Sequence, residues 1–99
     1  MDDKPGFKLD AGKLEWHLIV WEYVESVVRV LMFGAKKYAP YNWQKVANRR
    51  QRYVDAIIRH AVAYAKGEKL DSDSGESHLG CIGCNAMFLF WMDSTNDKE

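Results

Sequence analysis

From His78 to Trp91 the chain is apolar on nearly every side of a helix: Leu79, Ile82, Ala86, Met87, Phe88, Leu89, Phe90 and Trp91 leave only a polar stripe of His78, Cys81 and Asn85. A helix that is hydrophobic almost all round must be covered almost all round, so in a small protein it is central or sandwiched between subunits. No apolar run approaches the roughly 18 residues that a membrane span requires. The sequence therefore predicts an all-α domain assembled on this segment, with no membrane partner. Ninety-nine residues suffice for one core and not two, because a chain of this length buries only about two-thirds of the surface it exposes when unfolded. Four Trp, five Tyr and four Phe are many for such a chain, and a lone protomer cannot hide them all. A small bundle of about three main helices, completed by homo-oligomerisation, is expected.

The rest of the chain supplies two more helical periods. Residues 1 to about 13 carry Pro5, Gly6 and Gly12 without an apolar period and read as an N-terminal arm. From Leu18 to about Phe33, Val20, Val24, Val27, Val28, Leu31 and Met32 follow helical spacing, with Gly34 as the expected stop. Glu22, Glu25, Ser26 and Arg29 share the opposite face. A long connector, Ala35 to about Arg50, interleaves Lys36, Lys37, Lys45, Arg49 and Arg50 with Tyr38, Tyr41 and Trp43. A second helix is expected from about Gln51 to Lys66, closed by Gly67. On it Tyr53, Ile57, His60 and Tyr64 form one stripe, which predicts a partly buried His60. Residues 67 to 77 form a turn-rich acidic loop whose serines are candidate N-caps for the third helix, about His78 to Trp91. Residues 93 to 99 are a polar tail, and the whole of 1–99 reads as a single domain.

Fourteen basic residues balance fourteen acidic ones, for a formal net charge of +0. Bulk charge therefore gives no reason to expect a nucleic-acid partner, and any phosphate chemistry must come from local clusters. The opening Met1-Asp2-Asp3-Lys4 lacks the basic-then-apolar order of a secretory signal, and the two cysteines lie too close together to staple a fold. A reducing, cytoplasmic setting is expected.

Several constellations are candidates to carry chemistry. Glu22 and Glu25 lie one helical turn apart, where both carboxylates can reach one hard cation such as Mg²⁺; the same spacing also suits a solvated face with a Glu25 to Arg29 ion pair. Glu68 and Asp71 repeat the spacing on a loop, from which either could complete a metal site or remain solvated. The stretch from Asp71 to Gly75 resembles the start of a calcium loop, but its glycine falls one position early and Ile82 stands where a bidentate Glu is required. Cys81 and Cys84 with His78 invite a zinc reading, yet no further cysteine completes four ligands, so packed thiols are expected. Finally, Lys36, Lys37, Arg52 and Arg59 supply charge beside the flat faces of Tyr38, Trp43 and Tyr53. That combination describes a ligand made of polyphosphate and base. His60 and His78 could act as acid/base groups or ligands, or His60 could be a satisfied core histidine.

Taken together, the stretch from Asp10 to Lys13, Trp21-Glu22 with Glu25, the run Phe33-Gly34-Ala35-Lys36-Lys37-Tyr38, Asn42-Trp43, Arg52-Tyr53, Arg59-His60, Gly67-Glu68 with Asp71, Ser74-Gly75 with His78-Leu79, and Asn85 resemble the phage and bacterial dATP/dGTP diphosphohydrolase family, related to MazG-type all-α pyrophosphatases. The resemblance spans roughly residues 8 to 92. It implies hydrolysis of a deoxypurine triphosphate to monophosphate and pyrophosphate, with Mg²⁺ or Mn²⁺ held by helix carboxylates, in an oligomer acting in the host cytoplasm if phage-encoded. Two positions depart from the family pattern. Glu68 lies far downstream of Glu25, and Cys81 stands where relatives often carry a histidine.

With the resemblance, the residues fall into roles. Glu22, Glu25, Glu68 and Asp71 are the candidate metal ligands, and Glu22, Glu25 and His78 the candidate catalytic groups. Lys36, Lys37, Arg52 and Arg59 would clamp pyrophosphate, Tyr38 or Trp43 would stack the base, and Asn42 or Asn85 would read its edge, with His60 nearby. The alternative is a non-catalytic protein that sequesters a nucleotide in the same basic, aromatic pocket.

Overall fold

The computed structural model describes residues 5–99. It consists of three helices: α1, Trp21–Lys37; α2, Arg49–Ala65; and α3, His78–Ser94. Single turns of 3-10 helix precede α1, at Trp16–Leu18, and α2, at Asn42–Gln44. No strand occurs among the described residues, where Leu70 and Ser77 form one isolated antiparallel bridge. Among the described residues no helix is long and apolar enough to cross a membrane.

As its apolar girth predicts, α3 is central and packs against both α1 and α2. Its buried stripe is Cys81, Cys84, Phe88 and Met92, which with Tyr53 of α2 makes the core. Val27, Val30 and Leu31 of α1 and Trp43 and Val46 of the connector pack onto it. Trp43 stacks on Phe88 with centroids 4.3 Å apart and meets Trp91 edge-on at 5.0 Å. Its carbonyl accepts the Tyr53 hydroxyl, so the connector is fastened to both α2 and α3.

Between α1 and α3 the approach is close because α3 carries glycines there. A Cβ on Gly80 would run into the Ser26 hydroxyl, and one on Gly83 into the Tyr23 hydroxyl. Tyr23 instead donates to the Leu79 carbonyl at 2.8 Å.

The sequence ends two helices early: α3 continues past Trp91 to Ser94, and α1 past Phe33 to Lys37. Helix α1 runs on through Gly34, whose carbonyl accepts the Tyr38 N–H at 2.9 Å. A glycine costs a helix about 1 kcal/mol against alanine but does not end it, and Ala35, Lys36 and Lys37 continue the helical conformation. Pro40 ends it, since the residue before a proline is pushed out of helical conformation. Gly67, by contrast, closes α2 as expected: at φ +97° it lets its own N–H reach Tyr64 O and the Glu68 N–H reach Ala63 O. The Ser77 hydroxyl caps α3 by accepting from Leu79 N at 3.1 Å.

The polar tail is bound rather than loose. Arg49 grips Asp97 through two parallel 2.8 Å bonds, Arg50 reaches Asp93 at 2.9 Å, and Glu99 accepts from Asn48 N at 2.8 Å. The described part of the N-terminal arm, from residue 5 on, makes no comparable contacts; Phe7 is 94% exposed and Leu9 91%. It helps to raise the radius of gyration to 18.4 Å, against about 13 Å for a compact chain of this length.

Candidate functional site

Two features meet along α2. The first is a groove of about 730 Å³ between the end of α1, the connector, α2 and α3. Of the residues expected to bind substrate, Lys37, Tyr38, Asn42, Trp43, Arg52, Arg59 and Asn85 all line it. Lys36 does not, and His60 turns to the second feature. Apolar side chains such as Tyr53, Cys84 and Phe88 floor the groove, and cations rim it. Arg52 and Arg59 are exposed. Lys37 is committed to Asp73 at 2.9 Å, and that bond, with the neighbouring Tyr38, raises its pKa. Asn85 donates to its own helix at Cys81 O, 2.8 Å away. Trp43 has one face taken by Phe88, so Tyr38, 65% exposed, is the freer stacking surface.

The second feature is the cluster His60, Asp71 and His78, whose ligand atoms all lie within 4.8 Å of one another. It is the one such group of three among the described residues. His60 comes from the α2 stripe and His78 from the first turn of α3, and their Nδ1 atoms are 2.8 Å apart. Asp71 enters from the intervening loop. That loop folds back on itself: Asp71 N donates to Glu76 O at 2.7 Å and Gly75, at φ +74°, donates to Asp71 O at 2.8 Å. The Asp71 side chain is held by Ser74, whose N–H and hydroxyl both donate to Oδ2 at 2.9 Å. Glu68 lies just outside, with Oε1 3.4 Å from His78 Nε2.

Protonation follows from these contacts. Burial would push the Asp71 carboxyl up, but the two Ser74 donors and the two histidines outweigh it and hold it below the usual range. Burial lowers the His60 pKa, with His78 and Arg59 adding to the effect and Asp71 opposing it. The ring is therefore neutral at pH 7. Cys81, one turn along α3 from His78, is kept a thiol by burial and by Asp71, and burial pushes Cys84 up to about 12. Both are buried free cysteines, as packed thiols should be.

Glu22 and Glu25 are exposed on α1 and belong neither to the cluster nor to the groove lining. The alternative Glu25 to Arg29 pair does not form, because Arg29 reaches across to Glu76 at 3.1 Å. Arg49 and Arg50, which enriched the connector in positive charge, are spent on the tail carboxylates. Within the site, sequence reasoning missed the meeting of His60 with His78. The signal was present: His60 shares a stripe with the core residue Tyr53, and His78 begins the helix packed against it.

The all-α bundle thus carries an apolar, cation-rimmed groove beside a two-histidine, one-carboxylate cluster. The chain belongs to the dATP/dGTP diphosphohydrolase N-terminal family, whose model matches residues 3–99. It is 36% identical over 87 residues to a dATP/dGTP diphosphohydrolase of Salmonella phage PMBT28, an alignment that covers 88% of this chain and 29% of that relative. The chain thus spans less than a third of the relative's length. No solved structure matches.

Proposed function

We propose that this domain hydrolyses a purine deoxynucleoside triphosphate to the monophosphate and pyrophosphate. The observation that carries the reading is the groove, which gathers Tyr38, Asn42, Arg52, Arg59 and Asn85 around one space. A flat face and amide groups suit a base; two guanidiniums suit the phosphates through paired, charge-assisted hydrogen bonds. The names of the family and of the phage relative support the same chemistry.

Glu22 and Glu25, one turn apart and exposed, offer hard oxygen donors that fit Mg²⁺ or Mn²⁺. Such an ion neutralises charge on the polyphosphate and acidifies water. Arg52 and Arg59 hold the departing pyrophosphate, Tyr38 stacks the base, and whichever α1 carboxylate is free of coordination accepts the proton of the attacking water. The expected assembly is a homo-oligomer, because Val54, Ile58 and Val62 on α2 and Phe90 on α3 leave apolar surface exposed on the protomer.

The test is turnover of each nucleoside triphosphate by the unmodified protein and by Glu22→Gln. The reading expects turnover to be lost in the variant while nucleotide binding is kept. Equal turnover by both proteins would overturn the role given to α1.

A further inference from the structure

His78 is only 3% exposed, and its two ring nitrogens meet opposite surroundings. Nδ1 faces His60 Nδ1 at 2.8 Å. Nε2 is buried without a hydrogen-bond partner, and the nearest charged atom is Glu68 Oε1 at 3.4 Å. A neutral imidazole carries one N–H and one lone pair, and a carboxylate only accepts. The Glu68 carboxylate therefore favours the proton on Nε2, which leaves the Nδ1 lone pair of His78 facing His60. The Asp71 carboxylate brings negative charge to the same point, and both Ser74 donors fall on its Oδ2, so no protein donor reaches Oδ1 among the described residues. Two imidazole nitrogens and a carboxylate oxygen thus converge within 4.8 Å. Such a convergence is electrostatically unfavourable unless a proton or a cation lies among the donors.

We infer that His60, Asp71 and His78 form a site for a divalent transition ion of the Mn²⁺ to Zn²⁺ series, with Glu68 orienting His78 from outside the coordination sphere. The donor set decides the class of ion. Imidazole suits zinc, iron, cobalt and nickel, whereas Mg²⁺ demands oxygen donors and keeps its waters. A carboxylate hydrogen-bonded behind a ligating histidine fixes its tautomer and raises its basicity; Glu68 Oε1 stands 3.4 Å from His78 Nε2 without yet making that bond, and would complete it by a small approach. Three protein donors from α2, the loop and α3 leave coordination positions open, and Arg59, which lines the groove, is the neighbour of His60 in sequence. The inference deepens the proposed hydrolase, since an ion here would adjoin the groove, but metal binding itself does not depend on hydrolysis.

The experiment is titration of metal-free protein with Co²⁺ at pH 7, without nucleotide, following the visible absorption of the protein-bound ion. One Co²⁺ per chain is expected, displaced by Zn²⁺ and not by millimolar Mg²⁺. His60→Ala and Asp71→Asn should each abolish the signal, and circular dichroism establishes that they fold; because Asp71 lies on a loop, its variant serves if His60→Ala does not. Glu68→Gln should weaken binding about 10- to 100-fold while keeping the absorption band. No Co²⁺ band, an unchanged band in the folded Asp71→Asn protein, or displacement by Mg²⁺ at comparable concentration would overturn the site. Loss of the band in Glu68→Gln would overturn the outer role of Glu68. Because binding is read without nucleotide, an intact Co²⁺ site in a protein that hydrolyses nothing would refute the hydrolase and leave this inference standing.

Discussion

The hydroxyl of Tyr23 on α1 donates to the carbonyl of Leu79 on α3, 2.8 Å away, in a position open only because residue 83 has no side chain. The three glycines within the helices consequently respond in opposite ways to the same substitution. At Gly83 an added Cβ would run into the Tyr23 hydroxyl and lie 2.9 Å from its ring carbon Cζ. Overpacking of this kind costs about 1–3 kcal/mol, more than alanine returns in helix propensity. Gly83→Ala should therefore lower the melting temperature. At Gly34 an added Cβ meets nothing within 4 Å, so Gly34→Ala should stabilise α1 by about 0.5–1 kcal/mol. Thermal denaturation of the two variants side by side checks both signs.

Ser26 gives a sharper test of the same seam. Its hydroxyl is buried without a partner against Gly80. Removing an unsatisfied buried polar group recovers its desolvation penalty, so Ser26→Ala should be neutral or stabilising by about 1 kcal/mol. Gly80→Ala alone should destabilise, and the Ser26→Ala, Gly80→Ala double variant should recover part of that loss. Strict additivity in a double-mutant cycle would contradict the contact.

The tail predicts a response to acid. The Asp97 carboxyl is held below its ordinary range by the Glu99 backbone N–H and by Arg49, against a smaller opposing effect of burial. A carboxyl with a lowered folded-state pKa contributes stability that is complete above its unfolded value, about 3.9, and is lost as pH falls through the folded value. Asp97→Asn should therefore melt earlier than the unmodified protein at pH 7, with the difference shrinking below about pH 4. Urea denaturation across that range measures it.

Four of the five arginines divide into two pairs. Arg49 and Arg50 are tied to Asp97 and Asp93, while Arg52 and Arg59 line the groove. Substituting Arg59 by alanine should weaken nucleotide binding about 10- to 100-fold, the range for hydrogen bonds to charged groups of about 1.5–3 kcal/mol. Arg50→Ala should leave affinity unchanged. Calorimetric titration with a non-hydrolysable triphosphate distinguishes the two.

Helices α1 and α2 are legible from their apolar periods and α3 from an apolar run that covers nearly every side, and Gly67 and Ser77 act through their nearest neighbours in the chain. What sequence could not supply was long-range pairing. Arg29 had two acidic choices, Glu25 on its own helix and Glu76 in the loop, and only the fold decides for Glu76. His60 and His78 belong to different helices, and their meeting depends on the loop returning α3 along α2. The Phe33-to-Tyr38 run is readable as a motif, but spacing alone does not distinguish a helix-ending glycine from the tolerated one that Gly34 is.

The most direct test of the central claim is the identity of the product. Incubating the purified chain with dGTP and dATP plus Mn²⁺ or Mg²⁺, and separating the nucleotides by ion exchange, should yield monophosphate and an equal amount of pyrophosphate. Release of inorganic phosphate with formation of diphosphate, or intact triphosphate in every reaction, would contradict the account.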